Sequence, residues 1–205
     1  MVTVALADDH VVVRQGLRLL LESDPECEVV GEAADGIGAL ELVKLRKPNV
    51  LIVDLMMPEM DGLETTRRVS RLKSGTRVIV LTMYGDDAYL VDAFKGGAAA
   101  FVVKESCGAD LLRAVHDVAA GKCYVSPQLS AAFVIRYLRS ATAAVLRLSA
   151  MLTTHQRKVL QLVLEGASSV DIGARLKVSL GAVESDVATF VEKAIRTTHR
   201  LSRVH

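Results

Sequence analysis

The stretch "NVLIVDLMMPEMDG", residues 49 to 62, decides the fold. Its first seven residues read as a strand, and Val50, Leu51, Ile52 and Val53 leave no polar position between them, as in a parallel strand covered on both faces. The run ends on an acid, Asp54. Working outward, "VTVALA" (2 to 7), "EVVGEA" (28 to 33), "TRVIVLT" (76 to 82) and "AAFVVK" (99 to 104) share the β-branched character. Helical patterns lie between them: Val13, Leu17, Leu20 and Leu21, then Leu40, Leu42, Val43 and Leu45, then stretches 62 to 73, 87 to 95 and 108 to 120. This (βα)5 order predicts an α/β domain built on a doubly wound parallel sheet over residues 1 to 125. Its site should lie beyond the C-terminal ends of the strands.

Those ends carry chemistry. Asp8 and Asp9 follow the first strand and Asp54 closes the third; in such a sheet these strands are neighbours, so three carboxylates converge. A cluster of that kind repels itself unless a hard cation is present, and Mg²⁺ with oxygen ligands fits best. Thr82 ends the fourth strand with a hydroxyl and Lys104 the fifth with an ammonium. A carboxylate with these neighbours is suited to receiving a phosphoryl group: Asp54 attacks in line, metal and Lys104 neutralise the transferred oxygens, and Thr82 donates a hydrogen bond. Any one of the five alone reads as a solvated loop residue. Five gathered at four strand ends do not.

Residues 1 to 125 resemble the receiver domain of bacterial two-component response regulators, on "DDH" (8 to 10), "DLMMPEMDG" (54 to 62), "LTMY" (81 to 84) and "FVVK" (101 to 104). The resemblance implies that Asp9, Asp54, the Met56 carbonyl and, through water, Asp8 bind Mg²⁺. It implies that Asp54 takes phosphate from a histidine kinase, with Thr82 and Phe101 as a switch pair whose ring turns inward on phosphorylation. Aspartyl phosphatases on a similar sheet carry a general acid two residues after the nucleophile; Met56 stands there, which argues against an enzyme that turns over phosphate esters.

The totals agree with a folded intracellular regulator. Of 205 residues 51% are apolar, ample for packed cores, and the net charge is +1. The start, "MVTVALADDH", lacks a basic n-region, and no apolar run reaches membrane-spanning length, so a cytoplasmic location is expected. Cys27, Cys107 and Cys123 are widely spaced without a CxxC pair and indicate neither a disulfide framework nor a zinc site. Charge divides along the chain: residues 1 to 125 hold 14 basic and 19 acidic side chains, residues 151 to 205 hold 8 and 5. An acidic module joined to a mildly basic one is a weak hint of a polyanion partner.

From Ser126 and Pro127, an N-cap and first helical residue, the pattern is helical throughout. Leu129, Phe133, Tyr137, Ala141, Val145 and Leu148 form an apolar stripe, so residues 126 to 150 read as a helical linker whose 128 to 149 stretch packs on a neighbouring domain or forms a homodimer seam. The switch face, made by the fourth helix, fifth strand and fifth helix, is a second dimer candidate. Residues 151 to 205 show helices near 154 to 165, 169 to 176 and 180 to 194, with a stub after 199.

This last segment resembles the small all-α, helix-turn-helix output domain of the NarL/LuxR (FixJ) group, on Leu152, Thr153, Val159, Leu160, Gly166, Ile172, Leu176, Ser179, Val183 and Lys193. The resemblance implies a transcription regulator whose second helix of the unit enters the major groove of duplex DNA. The reading positions depart from the family: Ala182, Glu184, Asp186 and Ala188 stand where "TVK", a histidine and a second lysine are usual. His155 and Gln156 replace an Arg-Glu pair, and Gly173 replaces an alanine. Ala194 and Ile195 replace a turn, which lets this helix run on past Lys193, and the sequence stops where the family's last helix begins. Two readings stay open. In one, Arg175, Lys177, Lys193, Arg196, Arg200 and Arg203 contact phosphates while Ser185, Thr189 and Glu184 read bases. In the other, the domain keeps its core, has lost DNA, and works as a phosphorylation-switched protein-binding or dimerising module. His10, His155, His199 and His205 have no metal-ligand spacing.

Overall fold

The computed structural model describes residues 1–83, 89–140, 148 and 150–202, with side chains at these positions except 106, 107, 139, 140 and 198–202. Tyr84, Ala141, Val145, Arg203 and His205, and the side chains of His199 and Arg200, therefore lie outside the described residues. The chain forms two compact units, Met1–Ser126 and Pro127–His205.

The first unit alternates strand and helix: β1 (Val2–Ala7), α1 (Val11–Glu22), β2 (Cys27–Ala33), α2 (Gly36–Arg46), β3 (Val50–Asp54), α3 (Gly62–Leu72), β4 (Arg77–Thr82), α4 (Leu90–Gly96), β5 (Ala98–Val103) and α5 (Cys107–Ala119). All pairings are parallel in the order β2-β1-β3-β4-β5, the doubly wound arrangement. A sixth strand, β6 (Tyr124–Val125), extends the sheet beyond β5. Two residues are too short to show a period, which is why five strands and not six are expected from the sequence. Val4, Leu6, Val50, Ile52, Ile79 and Leu81 on one face and Ala5, Leu51, Val53, Val78 and Val80 on the other are buried at 2% exposure or less, so the middle strands are covered on both faces as their unbroken apolar runs require.

Local chemistry fixes where the helices begin. Asp35 caps α2 by accepting from Gly38 N at 2.8 Å, and Asp61 caps α3 by accepting from Glu64 N at 2.7 Å. Gly62 opens α3 directly over the end of β3; a Cβ there would run into the Asp54 carbonyl, so only glycine lets this helix approach the strand end.

The second unit contains α6 (Pro127–Ser140), α7 (Thr154–Leu164), α8 (Ser169–Leu176) and α9 (Leu180–Ser202). α6 groups with the helices that follow it, whereas the sequence pattern suggested a separate linker. Leu129, Phe133 and Tyr137 of the expected seam are already buried, with α6 packed on α9, so this half of the stripe offers no free face to a second copy. α9 is one continuous helix of 23 residues, replacing the shorter helix and stub expected. Ala194 and Ile195 explain it: both are fully buried and neither breaks a helix. Val159, Leu160, Ile172, Val183, Val187, Phe190 and Val191 complete the core.

Candidate functional site

Sheet topology brings the strand-end residues together. The Lys104 ammonium lies 2.6 Å from Asp8 Oδ2 and 2.9 Å from Asp54 Oδ2, and all three side chains are 7% exposed or less. One buried cation thus sits between two buried carboxylates. Burial pushes the Asp54 carboxyl above its ordinary value; the Lys104 hydrogen bond and charge oppose this, the Asp8 charge adds to it, and the Met56 backbone N–H lowers it. The Met56 side chain itself is exposed.

The Asp8–Asp9 turn is tied down from α1. Arg14 donates to the Asp8 carbonyl at 2.6 Å and to Glu32 Oε2 at 3.1 Å, and Asp8 Oδ1 accepts from His10 N at 2.9 Å. Asp9 Oδ1 is buried and accepts no hydrogen bond; its ion-pair neighbour is His10 Nδ1 at 2.7 Å. Ligand atoms of Asp8, Asp9, His10 and Asp54 all fall within 4.8 Å of one another. An orphaned carboxylate oxygen beside two further carboxylates fits a hard cation such as Mg²⁺. A cavity of about 450 Å³ opens here, lined in part by Asp9, Met56, Met57, Pro58 and Tyr89.

Thr82, at the end of β4, is 5% exposed and pairs in register with Val103, the residue before Lys104. Phe101 is fully buried and pairs with Val125 of β6, while its carbonyl accepts from Ser126 N at 3.1 Å. Ser126 Oγ in turn accepts from Val103 N at 3.1 Å. The ring of the expected switch pair is thus on the inside in this structure.

The helical unit places α8 and α9 about a tight turn. Lys177 has left-handed backbone (φ 56°), and Val178 N donates to the Gly173 carbonyl at 3.0 Å. A Cβ at Gly173 would stand 3.0 Å from the Val178 carbonyl, so glycine suits this turn better than the alanine of the family pattern. Ala182, Glu184, Ser185 and Ala188 of α9 are exposed, as are Arg175 and Lys177.

Several expected contact residues are engaged elsewhere. Lys193 Nζ donates to the Met151 carbonyl at 2.8 Å, Arg196 pairs with Glu192 at 2.6 Å, and the Thr189 hydroxyl donates back to the Ser185 carbonyl at 2.9 Å. Asp186 is turned toward α7: it accepts from Gln156 Nε2 at 3.1 Å, lies 3.5 Å from His155 Nε2, and is 18% exposed. Gln156 does a second task. It completes a capping box with Thr153, whose hydroxyl accepts from Gln156 N at 3.2 Å while Gln156 Oε1 accepts from Thr153 N at 3.2 Å. Three departures from the family pattern, His155, Gln156 and Asp186, are therefore one connected group, which sequence separation of 30 residues conceals.

Residues 4–116 match the response regulator receiver domain family. The chain is 37% identical over 193 residues to the DNA-binding transcriptional activator DevR/DosR of Mycobacterium tuberculosis, covering 94% of this chain and 88% of the relative. It is 32% identical to the transcriptional regulatory protein LiaR of Bacillus subtilis, covering 94% and 90%. Among solved structures it is similar to the RcsB response regulator of Salmonella typhimurium, with TM-score 0.61, 26% identity and coverage of 94% and 91%. No described helix is long and apolar enough to cross a membrane.

Proposed function

The chain belongs to the two-component response regulators that join a receiver to a LuxR-type output domain, and from that premise we propose that Asp54 is its phosphoacceptor and that α8 and α9 carry the signal to duplex DNA. The supporting observation for the first part is the buried Lys104 ammonium bridging Asp8 and Asp54 beside the orphaned Asp9 oxygen. Asp8, Asp9, Asp54 and the Met56 carbonyl would hold Mg²⁺, which when bound neutralises charge on the phosphoryl oxygens.

The chain's own residues do the rest. An Asp54 oxygen attacks the phosphorus of a phosphohistidine on the kinase; the P–N bond breaks and its electron pair stays on the imidazole nitrogen. Lys104, already desolvated and fixed, interacts with the transferred oxygens at no further cost in ordering. Thr82 donates a hydrogen bond to one of them, and its displacement reshapes the face formed by α4, β5 and α5. The receiver catalyses only its own phosphoryl transfer and loss.

For DNA, the exposed Arg175 and Lys177 supply phosphate contacts, and the exposed Glu184 and Ser185 face base edges. The reading is supported by Asp186, whose charge is drawn toward Gln156 and His155 and away from the face that would meet phosphates. Lys193 serves the fold through Met151 instead. The test is binding of the full chain to random-sequence duplex at low and moderate salt, with and without beryllofluoride on Asp54. An affinity that falls as salt rises reports counterion release from phosphate contacts. Absence of binding at low salt, with the protein folded, overturns the DNA assignment and leaves a phosphorylation-switched protein-binding module.

A further inference from the structure

A second ligand cluster lies at the opposite end of the sheet. Asp24, in the turn before β2, Cys27, the first residue of β2, and His116, in the last turn of α5, place a carboxylate oxygen, a thiol and an imidazole nitrogen within 4.8 Å of one another. Cys27 pairs with Val2 at the start of β1, and the strand runs six residues from there to Asp8, so about 20 Å separates this cluster from the carboxylate site.

The arrangement exceeds a single ion pair. His116 Nε2 stands 2.6 Å from Asp24 Oδ2, and the buried Cys27 thiol lies within 4.8 Å of both. Asp24 Oδ1 accepts from Glu26 N at 2.9 Å, which fixes the carboxylate, while the Glu26 carboxylate lies 3.9 Å from His116 Nδ1 on the far side of the ring. Asp24 thus has one oxygen toward the centre and the other held by the Glu26 backbone N–H, the orienting pattern of metal-binding side chains. The donor set of sulfur, nitrogen and oxygen is unlike the all-oxygen set around Asp54. It suits a borderline cation such as Zn²⁺, and not Mg²⁺.

We propose that Asp24, Cys27 and His116 form a three-ligand site for a zinc-class cation, oriented by Glu26 and open to water at a fourth position. The cation would displace the thiol proton and replace the Asp24–His116 hydrogen bond by metal bonds, fastening the α1–β2 turn to the C-terminal end of α5. His116 at 37% exposure gives it access from solvent. The short spacing of Asp24 and Cys27 resembles no CxxC signal, and the third ligand lies 89 residues beyond Cys27, so nothing in the linear sequence announces the site.

Titration of the full chain with Co²⁺ in excess Mg²⁺ tests this. The expected result is a thiolate-to-cobalt charge-transfer band saturating at one equivalent, suppressed by Zn²⁺ and absent in Cys27→Ser. His116→Gln keeps the thiol, removes only a half-exposed ring, and should weaken binding by at least tenfold, with circular dichroism showing a folded protein. No band in the unaltered chain, or a band of unchanged affinity in His116→Gln, overturns the proposal; the second result would assign the signal to Cys107 or Cys123.

Discussion

Asp54 and Asp186 are both carboxylates drawn toward nitrogen donors on another element, yet the two regions use them in opposite ways. At the strand ends the carboxylates of Asp8, Asp9 and Asp54 gather about one buried ammonium, so the corner holds the spare negative charge that the proposed cation would neutralise. On α9 the acid is folded against α7 and its charge is partly spent before any ligand arrives. Strand ends converge because the sheet order forces them together. A helix face is different: its outward charge depends on which neighbouring helix supplies a partner.

The sharpest way to break this comparison is to damage one unit alone. Phe190→Ala removes a fully buried ring from the helical core and should cost about 3–5 kcal/mol, abolishing DNA binding while phosphorylation of Asp54 by a small-molecule phosphodonor proceeds as before. Loss of both activities would show that the two units do not stand apart. Next, Lys104→Met keeps the volume and removes the buried ammonium; the phosphorylation rate should fall about 10²- to 10³-fold, measured under saturating Mg²⁺.

The two acids of α9 sharpen the contrast directly. Glu184 is exposed without a hydrogen bond or ion pair among the described residues, so Glu184→Gln should raise affinity for random-sequence DNA at low salt by about tenfold. Asp186→Asn should change it by about threefold at most, because that charge is already paired. Equal effects would mean that Asp186 faces phosphate after all. The smallest effect belongs to the cap: Thr153→Ala breaks the capping box and should lower stability of the helical unit by about 1 kcal/mol in thermal melts.

What could be read in advance follows the same division. Val50 to Val53 announce a buried parallel strand because every position is apolar, and Asp8, Asp9, Asp54, Thr82 and Lys104 are legible because each closes such a run. β6 escapes notice because Tyr124 and Val125 are too few to make a pattern. In the helical unit the core is legible from Val183, Val187, Phe190 and Val191, but the partners of the polar side chains are not: the reach of Gln156 to Asp186, of Lys193 to Met151 and of Thr189 to Ser185 depends on rotamers and on helix packing. Periodicity carries no information about either. The grouping of Asp24 and Cys27 with His116 is hidden for a third reason, since it joins a turn, a strand start and a helix end.

The continuity of α9 gives the helical unit a mechanical property. At 1.5 Å per residue, its 23 residues make a rod about 35 Å long. Its N-terminal turns present Ala182, Glu184 and Ser185, while Ala194 and Ile195 farther along are locked into the core. Without a joint between these parts, the rod works as a lever arm: a tilt of about ten degrees pivoting at one end sweeps the other through about 6 Å, more than a hydrogen bond tolerates. Whatever grips the far half of α9 therefore sets the alignment of its reading half.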